Sequence, residues 1–226
     1  LLDALATTLG SGEPPRAWLD AERTARDAID RVLDASGPQF EGRIVRDVAT
    51  ALPEGAALVV ASSLPVRALE WCMAPRDGLS MFSNRGANGI DGFTSTVFGI
   101  ATAYPGPVVG LCGDLCFLHD VNGLLNSTTA PATFVVIDND GGGIFSFLAQ
   151  RDLPEFETLF GTPHGLDLVA VARAHGVTAE RVDDTSTLKD ALASGESRVL
   201  VVPVDRNASV ARHRELWAAV AAALGR

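Results

Sequence analysis

Six short apolar runs, at 57–61, 80–83, 107–112, 133–138, 177–182 and 198–204, recur along this chain and constrain its fold more than any other feature. They are rich in Val, Ile, Leu and Phe. They do not alternate polar with apolar residues, so each is expected to be buried on both faces of a sheet. Helical stretches near 64–73, 92–104, 118–128, 167–175 and 185–194 separate them, and a last one covers about 208–224. Alternating strand and helix predicts an α/β fold: a doubly wound, mainly parallel six-stranded sheet with helices on both faces. Ligands of such sheets bind beyond the carboxyl ends of the strands. The loops at 62–67, 83–92, 112–116 and 138–145 fall at such ends.

Two helices are expected before the first strand. One covers 13–35, with Pro15 near its start and Trp18, Ala25, Ile29 and Val32 on one face. Ser36-Gly37-Pro38 breaks it. The second, 41–52, repeats Ile44, Val48 and Leu52 and stops before Pro53. Residues 1–37 read as the end of a preceding domain and 38–226 as the α/β domain proper. With 226 residues, 47% of them hydrophobic, the chain can bury one full core. A net charge of −10 and the lack of any basic stripe argue against nucleic acid as a partner. No apolar run approaches the roughly 20 residues of a membrane span, and no signal peptide is recognisable. Cys72, Cys112 and Cys116 are odd in number and lack metal-ligand spacing, which predicts packing residues in a reducing, cytoplasmic setting. The chain starts at Leu1 without a methionine, so it is expected to be part of a longer polypeptide.

Two acidic, glycine-flanked loops carry the chemistry. Gly113-Asp114-Leu115 ends one apolar run and Asp138-Asn139-Asp140-Gly141-Gly142-Gly143 ends the next. A hard divalent cation takes several oxygen ligands, and Mg²⁺ commonly shares them with phosphate. Asp114 and Asp140 can each supply a carboxylate and the glycine run a carbonyl, while the glycines let the backbone approach a diphosphate. The plainer reading makes both acids caps of the helices that follow; the pairing of the loops argues for the metal. Asp138 is expected to end its strand and Asn139 to turn the chain. The segment 83–92 holds three glycines around Arg85, whose planar fork suits carboxylate or phosphate, or else is a solvated surface turn. Ser62 and Ser63 are candidate caps of a helix with Pro65 in its first turn, and Arg67 falls early in that helix, where its charge opposes the dipole. That hints at an anionic partner. The run Ile144-Phe145-Ser146-Phe147-Leu148 puts large apolar groups after the glycines, either as core or as the wall of a pocket that excludes water. His119, His164, His175 and His213 show no ligand pattern.

Taken together, these residues look familiar. Gly113-Asp114 followed by Asn139-Asp140 resembles the diphosphate- and magnesium-binding motif of thiamine diphosphate enzymes. Ser83 to Gly92, Gly113-Asp114-Leu115 with His119-Asp120, and Gly141 to Ser146 resemble the MenD family, the 2-succinyl-5-enolpyruvyl-6-hydroxy-3-cyclohexene-1-carboxylate synthases of menaquinone biosynthesis. The likeness covers about 40–226, which would be the diphosphate-binding domain; 1–37 would end the central domain. It implies decarboxylation of 2-oxoglutarate on thiamine diphosphate and addition of the product to isochorismate. It further implies Mg²⁺ (or Mn²⁺) on Asp114, Asp140 and the Gly142 carbonyl, with Gly113, Leu115, Gly143 and Ile144 around the cofactor and Ile90 beneath it. Substrate carboxylates would meet Ser63, Arg67 and Arg85, with Phe145 and Leu148 on the apolar side. Asp140 departs from the asparagine frequent at its position and adds a negative charge near the diphosphate. The activating glutamate belongs to a pyrimidine-binding domain from another part of the polypeptide or another subunit, so the resemblance implies a homodimer or homotetramer and predicts little turnover by this chain alone. Two alternatives stay open: a thiamine diphosphate enzyme of the decarboxylase or acetolactate synthase kind, and a non-catalytic cofactor-binding domain.

Overall fold

The computed structural model describes residues 15–84, 86–87, 89–185, 188–192 and 195–226. Six strands form one sheet: β1 (Ala56–Val60), β2 (Leu79–Phe82), β3 (Val108–Gly113), β4 (Thr133–Asp138), β5 (Thr178–Arg181) and β6 (Arg198–Pro203). Their order is β2-β1-β3-β4-β6-β5, and every pairing is parallel. The helices are α1 (Arg16–Ala35), α2 (Glu41–Ala51), α3 (Leu64–Cys72), α4 (Phe93–Ala101), α5 (Asp114–His119), α6 (Leu168–Ala174), α7 (Leu188–Leu192) and α8 (Arg206–Ala223). The expected doubly wound α/β architecture is therefore present.

Alternate residues of each strand feed two separate cores. Leu58, Val60, Leu111, Val135 and Leu200 point to one face, where Ile44 and Val48 of α2, Leu69 of α3 and Leu216 of α8 cover them. Ala57, Val59, Cys112, Phe134 and Val201 point to the other, covered by Val97 and Phe98 of α4, Phe117 of α5 and Ala172 of α6. Each large aliphatic side chain buried this way contributes about 1.5–3 kcal/mol, which is why the four inner strands read as unbroken apolar runs. Gly110 is a gap in the middle of β3. A Cβ there would meet Val97 at 2.9 Å and Phe134 at 3.1 Å, so the missing side chain lets α4 settle close to the sheet.

The sheet corrects two expectations. Burial on both faces holds for the inner strands but not for β2 and β5, which are the edges. Met81 and Phe82 of β2 are exposed, and in β5 only Ala179 is buried. The helix expected over 118–128 is two elements: α5 starts directly at Asp114, and 121–128 is a 3₁₀ turn. Asp120 sits between them and accepts hydrogen bonds from the Ser95 amide (2.7 Å) and hydroxyl (3.3 Å) at the head of α4.

Connections leave β1 in opposite directions, to β2 on one side and through β2 to β3 on the other. The reversal opens a crevice at the carboxyl ends of β1 and β3, the usual ligand position in such sheets. The N-terminal helix α1 packs on α8, burying Ala28 and Leu33.

Candidate functional site

A cleft of about 250 Å³ lies at that crevice. Three strand ends build it. Ser62 and Ser63 follow β1, Gly113, Asp114 and Leu115 follow β3, and Asn139 with Gly141 to Phe145 follow β4. Ile90 and Glu41 complete the wall. Of the residues singled out in the sequence, Ser63, Ile90, Gly113, Asp114, Leu115, Gly142, Gly143, Ile144 and Phe145 are thus brought together. Asp140, Arg67 and Leu148 do not line the cleft, and Leu148 is exposed. Arg85 lies outside the described residues.

Asp114 is a buried acid of the site, 2% exposed. Its Oδ1 accepts the Leu115 N–H at 2.6 Å; its Oδ2 accepts the Asn139 N–H at 3.0 Å and the Gly141 N–H at 2.9 Å. The carboxylate therefore ties the end of β3 to the turn after β4. Burial pushes its pKa up to about 6, against the pull of those backbone donors. A cation at this point would remove that penalty.

The second acid behaves differently. Asp140 adopts a left-handed backbone, φ 54°, and its side chain turns outward. Its Oδ1 accepts the N–H groups of His164 (2.9 Å) and Gly165 (2.8 Å), which hold its pKa below the usual carboxylate range. Where Asp140 is expected as a metal ligand, its carboxylate clasps the 164–165 segment here, is half-exposed and does not line the cleft. Asn139, expected only to turn the chain, faces inward in its place. Its Nδ2 donates to Glu41 Oε1 at 3.1 Å, and its Oδ1 is buried without a hydrogen-bond partner among the described residues. An orphaned buried oxygen is a rare feature that calls for a ligand. Asp114, Asn139 and a carbonyl of the glycine run form a hard oxygen set, the kind that suits Mg²⁺ or Mn²⁺. Of the glycine carbonyls, Gly141 accepts from Gly143 N and Gly142 from Phe145 N, each keeping a second lone pair.

The glycine run has a packing reason as well. Side chains at Gly141 and Gly142 would fall on the backbone carbonyls of Gly161 and Phe160, and one at Gly143 would fall on the Asn139 amide. Gly141, at φ 131°, is further confined to glycine by its backbone.

His164 is a site neighbour that no sequence pattern announced. Its Nε2 lies 3.5 Å from Asp114 Oδ2 and 3.7 Å from Asp138 Oδ1. The ligand atoms of the three residues all fall within 4.8 Å of one another. Nδ1 accepts the Leu166 N–H at 3.0 Å, while Nε2 faces the two carboxylates, buried and without a hydrogen-bond partner among the described residues. Neither Asp138 nor His164 lines the cleft, so the cleft side of Asp114 belongs to Asn139.

At the other end of the cleft, Ser63 has φ 77° and ψ −137°, a strained conformation for a residue with a Cβ. It makes no capping bond, against expectation. Its carbonyl instead accepts Arg67 Nη1 at 2.7 Å, which leaves most of the guanidinium donors unused by that contact. The cysteines are inert packing groups: burial pushes Cys72 and Cys116 up to about 12 and Cys112 well above its ordinary value.

Comparison with known proteins agrees with this geometry. Residues 72–204 match the family described as thiamine pyrophosphate enzyme, C-terminal TPP binding domain. The chain is 44% identical to 2-succinyl-5-enolpyruvyl-6-hydroxy-3-cyclohexene-1-carboxylate synthase of Myxococcus xanthus, over 96% of this chain and 38% of that protein. It is 45% identical to the protein of the same name in Thermobifida fusca, over 86% of this chain and 36% of the relative. The chain thus spans little more than a third of the relatives it matches. In structure it is similar to benzoylformate decarboxylase from Polynucleobacter necessarius, with a TM-score of 0.59 at 22% identity over 73% of this chain and 33% of that one, a likeness of fold. The chain belongs to the thiamine pyrophosphate enzymes, whose C-terminal TPP binding domain it carries.

Proposed function

We propose that this chain is the C-terminal, diphosphate-binding part of a 2-succinyl-5-enolpyruvyl-6-hydroxy-3-cyclohexene-1-carboxylate synthase acting on 2-oxoglutarate and isochorismate. The observation that carries the reading is 44% identity to a protein of that name along 96% of the chain. Residues 38–226 form the diphosphate-binding domain, and 1–37 end the domain before it.

Asp114, Asn139 and a carbonyl from Gly141 or Gly142 would hold Mg²⁺ or Mn²⁺ against the diphosphate. The orphaned Asn139 oxygen and the buried Asp114 carboxylate support this set over one that includes Asp140. Thiamine diphosphate supplies the electron sink for decarboxylating a 2-oxo acid. Gly113, Leu115 and Gly143 give it a close-fitting backbone. Ile90, Ile144 and Phe145, which line the cleft, would give the bound cofactor its apolar contacts and keep water from the reacting centre. Leu148, at the exposed margin, extends that apolar wall towards the substrate.

Both substrates are polyanions while the protein is acidic, so the anion site must be made locally by arginine. Arg67, anchored through one nitrogen to the Ser63 carbonyl, offers its remaining donors to a carboxylate. Arg85 serves the second carboxylate on the strength of its motif. The glutamate that activates the cofactor comes from a pyrimidine-binding domain outside this chain, in a homodimer or homotetramer. Three buried thiols fit a cytoplasmic enzyme.

The test is isochorismate consumption by the complete polypeptide with Mg²⁺ and thiamine diphosphate, with and without 2-oxoglutarate. Consumption that depends on 2-oxoglutarate and releases CO₂ is expected. Turnover of pyruvate exceeding that of 2-oxoglutarate would overturn the substrate assignment.

A further inference from the structure

Beside Asn139, in the wall of the same cleft, stands a buried carboxylate that the proposed chemistry does not use. Glu41, the first residue of α2, is 2% exposed. Its Oε1 accepts Asn139 Nδ2 at 3.1 Å and its Oε2 accepts the Ser209 hydroxyl, from the first turn of α8, at 2.7 Å. The three residues come from distant parts of the chain, and the contacts span 98 and 168 positions. A buried acid is retained at a cost unless its acceptors are satisfied, and here both oxygens are engaged.

The chemistry of the pair fixes an orientation. An asparagine amide has two nearly isosteric faces, one donating and one accepting. A carboxylate only accepts, so the NH₂ must face Glu41. The Oδ1 is then left towards the cleft that Asn139 lines, buried and unpartnered. Gly143 protects this arrangement, because a Cβ there would fall on the Asn139 amide nitrogen.

We propose that Glu41 is a positioning residue for the divalent cation: through the Asn139 amide it holds Oδ1 in the liganding orientation. This rests on the reading that Asp114 and Asn139 bind the metal. Partners that orient metal ligands typically carry about 10- to 100-fold in metal affinity.

The experiment measures Mn²⁺ affinity of the complete polypeptide by electron paramagnetic resonance, with thiamine diphosphate present and no substrate. Glu41→Met, which keeps volume and removes both acceptors, is expected to weaken Mn²⁺ by about 10-fold or more. Glu41→Gln, which can still accept from Asn139, should stay within about 3-fold of wild type. Ser209→Ala, which leaves the Asn139 contact intact, should do the same even where it lowers the unfolding midpoint. In a double-mutant cycle, Glu41→Met should add no further loss to Asn139→Ala. Affinity of Glu41→Met within 2-fold of wild type, or full additivity with Asn139→Ala, overturns the inference while leaving the metal reading intact. Should the methionine variant not fold, Glu41→Asp, which withdraws the acceptors by one methylene, must show the same coupling. Failure of the wild type to bind Mn²⁺ would remove the metal reading itself, and the inference with it.

Discussion

Asp114 and Asp140 stand at the ends of adjacent strands, in loops of like composition, yet they do opposite things. Asp114 is buried and gathers three backbone N–H groups, a cost in desolvation that a cation would relieve. Asp140 is half-exposed, carries its charge in water and uses it to hold a neighbouring backbone segment. The difference shows that an acidic, glycine-rich loop is not a site in itself. What matters is which side chain the turn sends inward, and after β4 it sends Asn139 rather than Asp140.

The sharpest way to break this contrast is to remove the inward acid. Asp114→Ala is expected to lower Mn²⁺ affinity more than about 100-fold, since it deletes a ligand rather than a supporting partner. It also leaves the amides of Asn139 and Gly141 without their acceptor. Each unsatisfied buried donor costs about 1–3 kcal/mol, so chemical denaturation should show a loss of several kcal/mol. Retained Mn²⁺ affinity would place the metal elsewhere.

Next in size is the turn that separates the two acids. Gly141→Ala puts a Cβ on a residue at φ 131°, against the Gly161 carbonyl. Left-handed strain and the clash together are expected to cost about 3 kcal/mol or more in unfolding free energy. Gly165, also at positive φ but with open space around it, should tolerate the same change for about 1 kcal/mol. Equal losses at the two positions would mean that backbone strain alone, and not the packing of 157–162 against the turn, demands glycine.

A third test lies behind Asn139. His213 is fully buried among Phe40, Trp71, Phe147 and Trp217 and donates Nδ1–H to the Ser209 carbonyl at 2.9 Å. Burial lowers its pKa below 6.5, with Glu41 pulling the other way. In the unfolded chain the imidazole titrates near 6.5. Above that pH neither state is protonated and stability is flat. As pH falls below 6.5 towards the folded value, only the unfolded state gains a proton, so stability falls, by up to about 1.4 kcal/mol per pH unit. His213→Gln should remove that slope just below pH 6.5 in denaturant titrations, and an unchanged slope would assign it to other groups.

How much of this was readable in advance depends on range. The inner strands declared themselves because burial on both faces leaves no polar position, and their ends fell within a residue or two of the expected ones. Edge position is not local, so β2 and β5 read like inner strands. The split of 118–128 also has a distant cause, the grip of Asp120 on Ser95. In the site, Asp114 was legible because the acid, its glycine and the strand before it are contiguous. Asn139 and Asp140 differ by a single step of the turn, and periodicity does not say which of two adjacent residues points inward. Glu41 and Ser209 had no signal of their own; only the fold brings Glu41 to Asn139 and Ser209 to Glu41. The serines at 62 and 63 read as caps because the residue type suits caps, whereas the backbone at Ser63 is bent for another purpose.

The smallest expected effect is the most discriminating. Asp140→Ala should change Mn²⁺ affinity by no more than about 2-fold, because the carboxylate faces the amides of His164 and Gly165 at a solvent-exposed position where charge is screened. Stability should fall by about 1–2 kcal/mol, the sum of the lost backbone acceptor and a left-handed alanine. Asp140→Asn should recover most of that, since asparagine tolerates the left-handed region and keeps an acceptor oxygen. Isothermal titration with Mn²⁺ and denaturant unfolding on the same samples separate the two quantities. If Asp140→Ala instead weakened the metal as much as Asp114→Ala, the outward turn of Asp140 would have to reverse when the cation binds. The inward Asn139 oxygen would then lose its claim to the same position, because one step of the chain cannot present both side chains to the cleft.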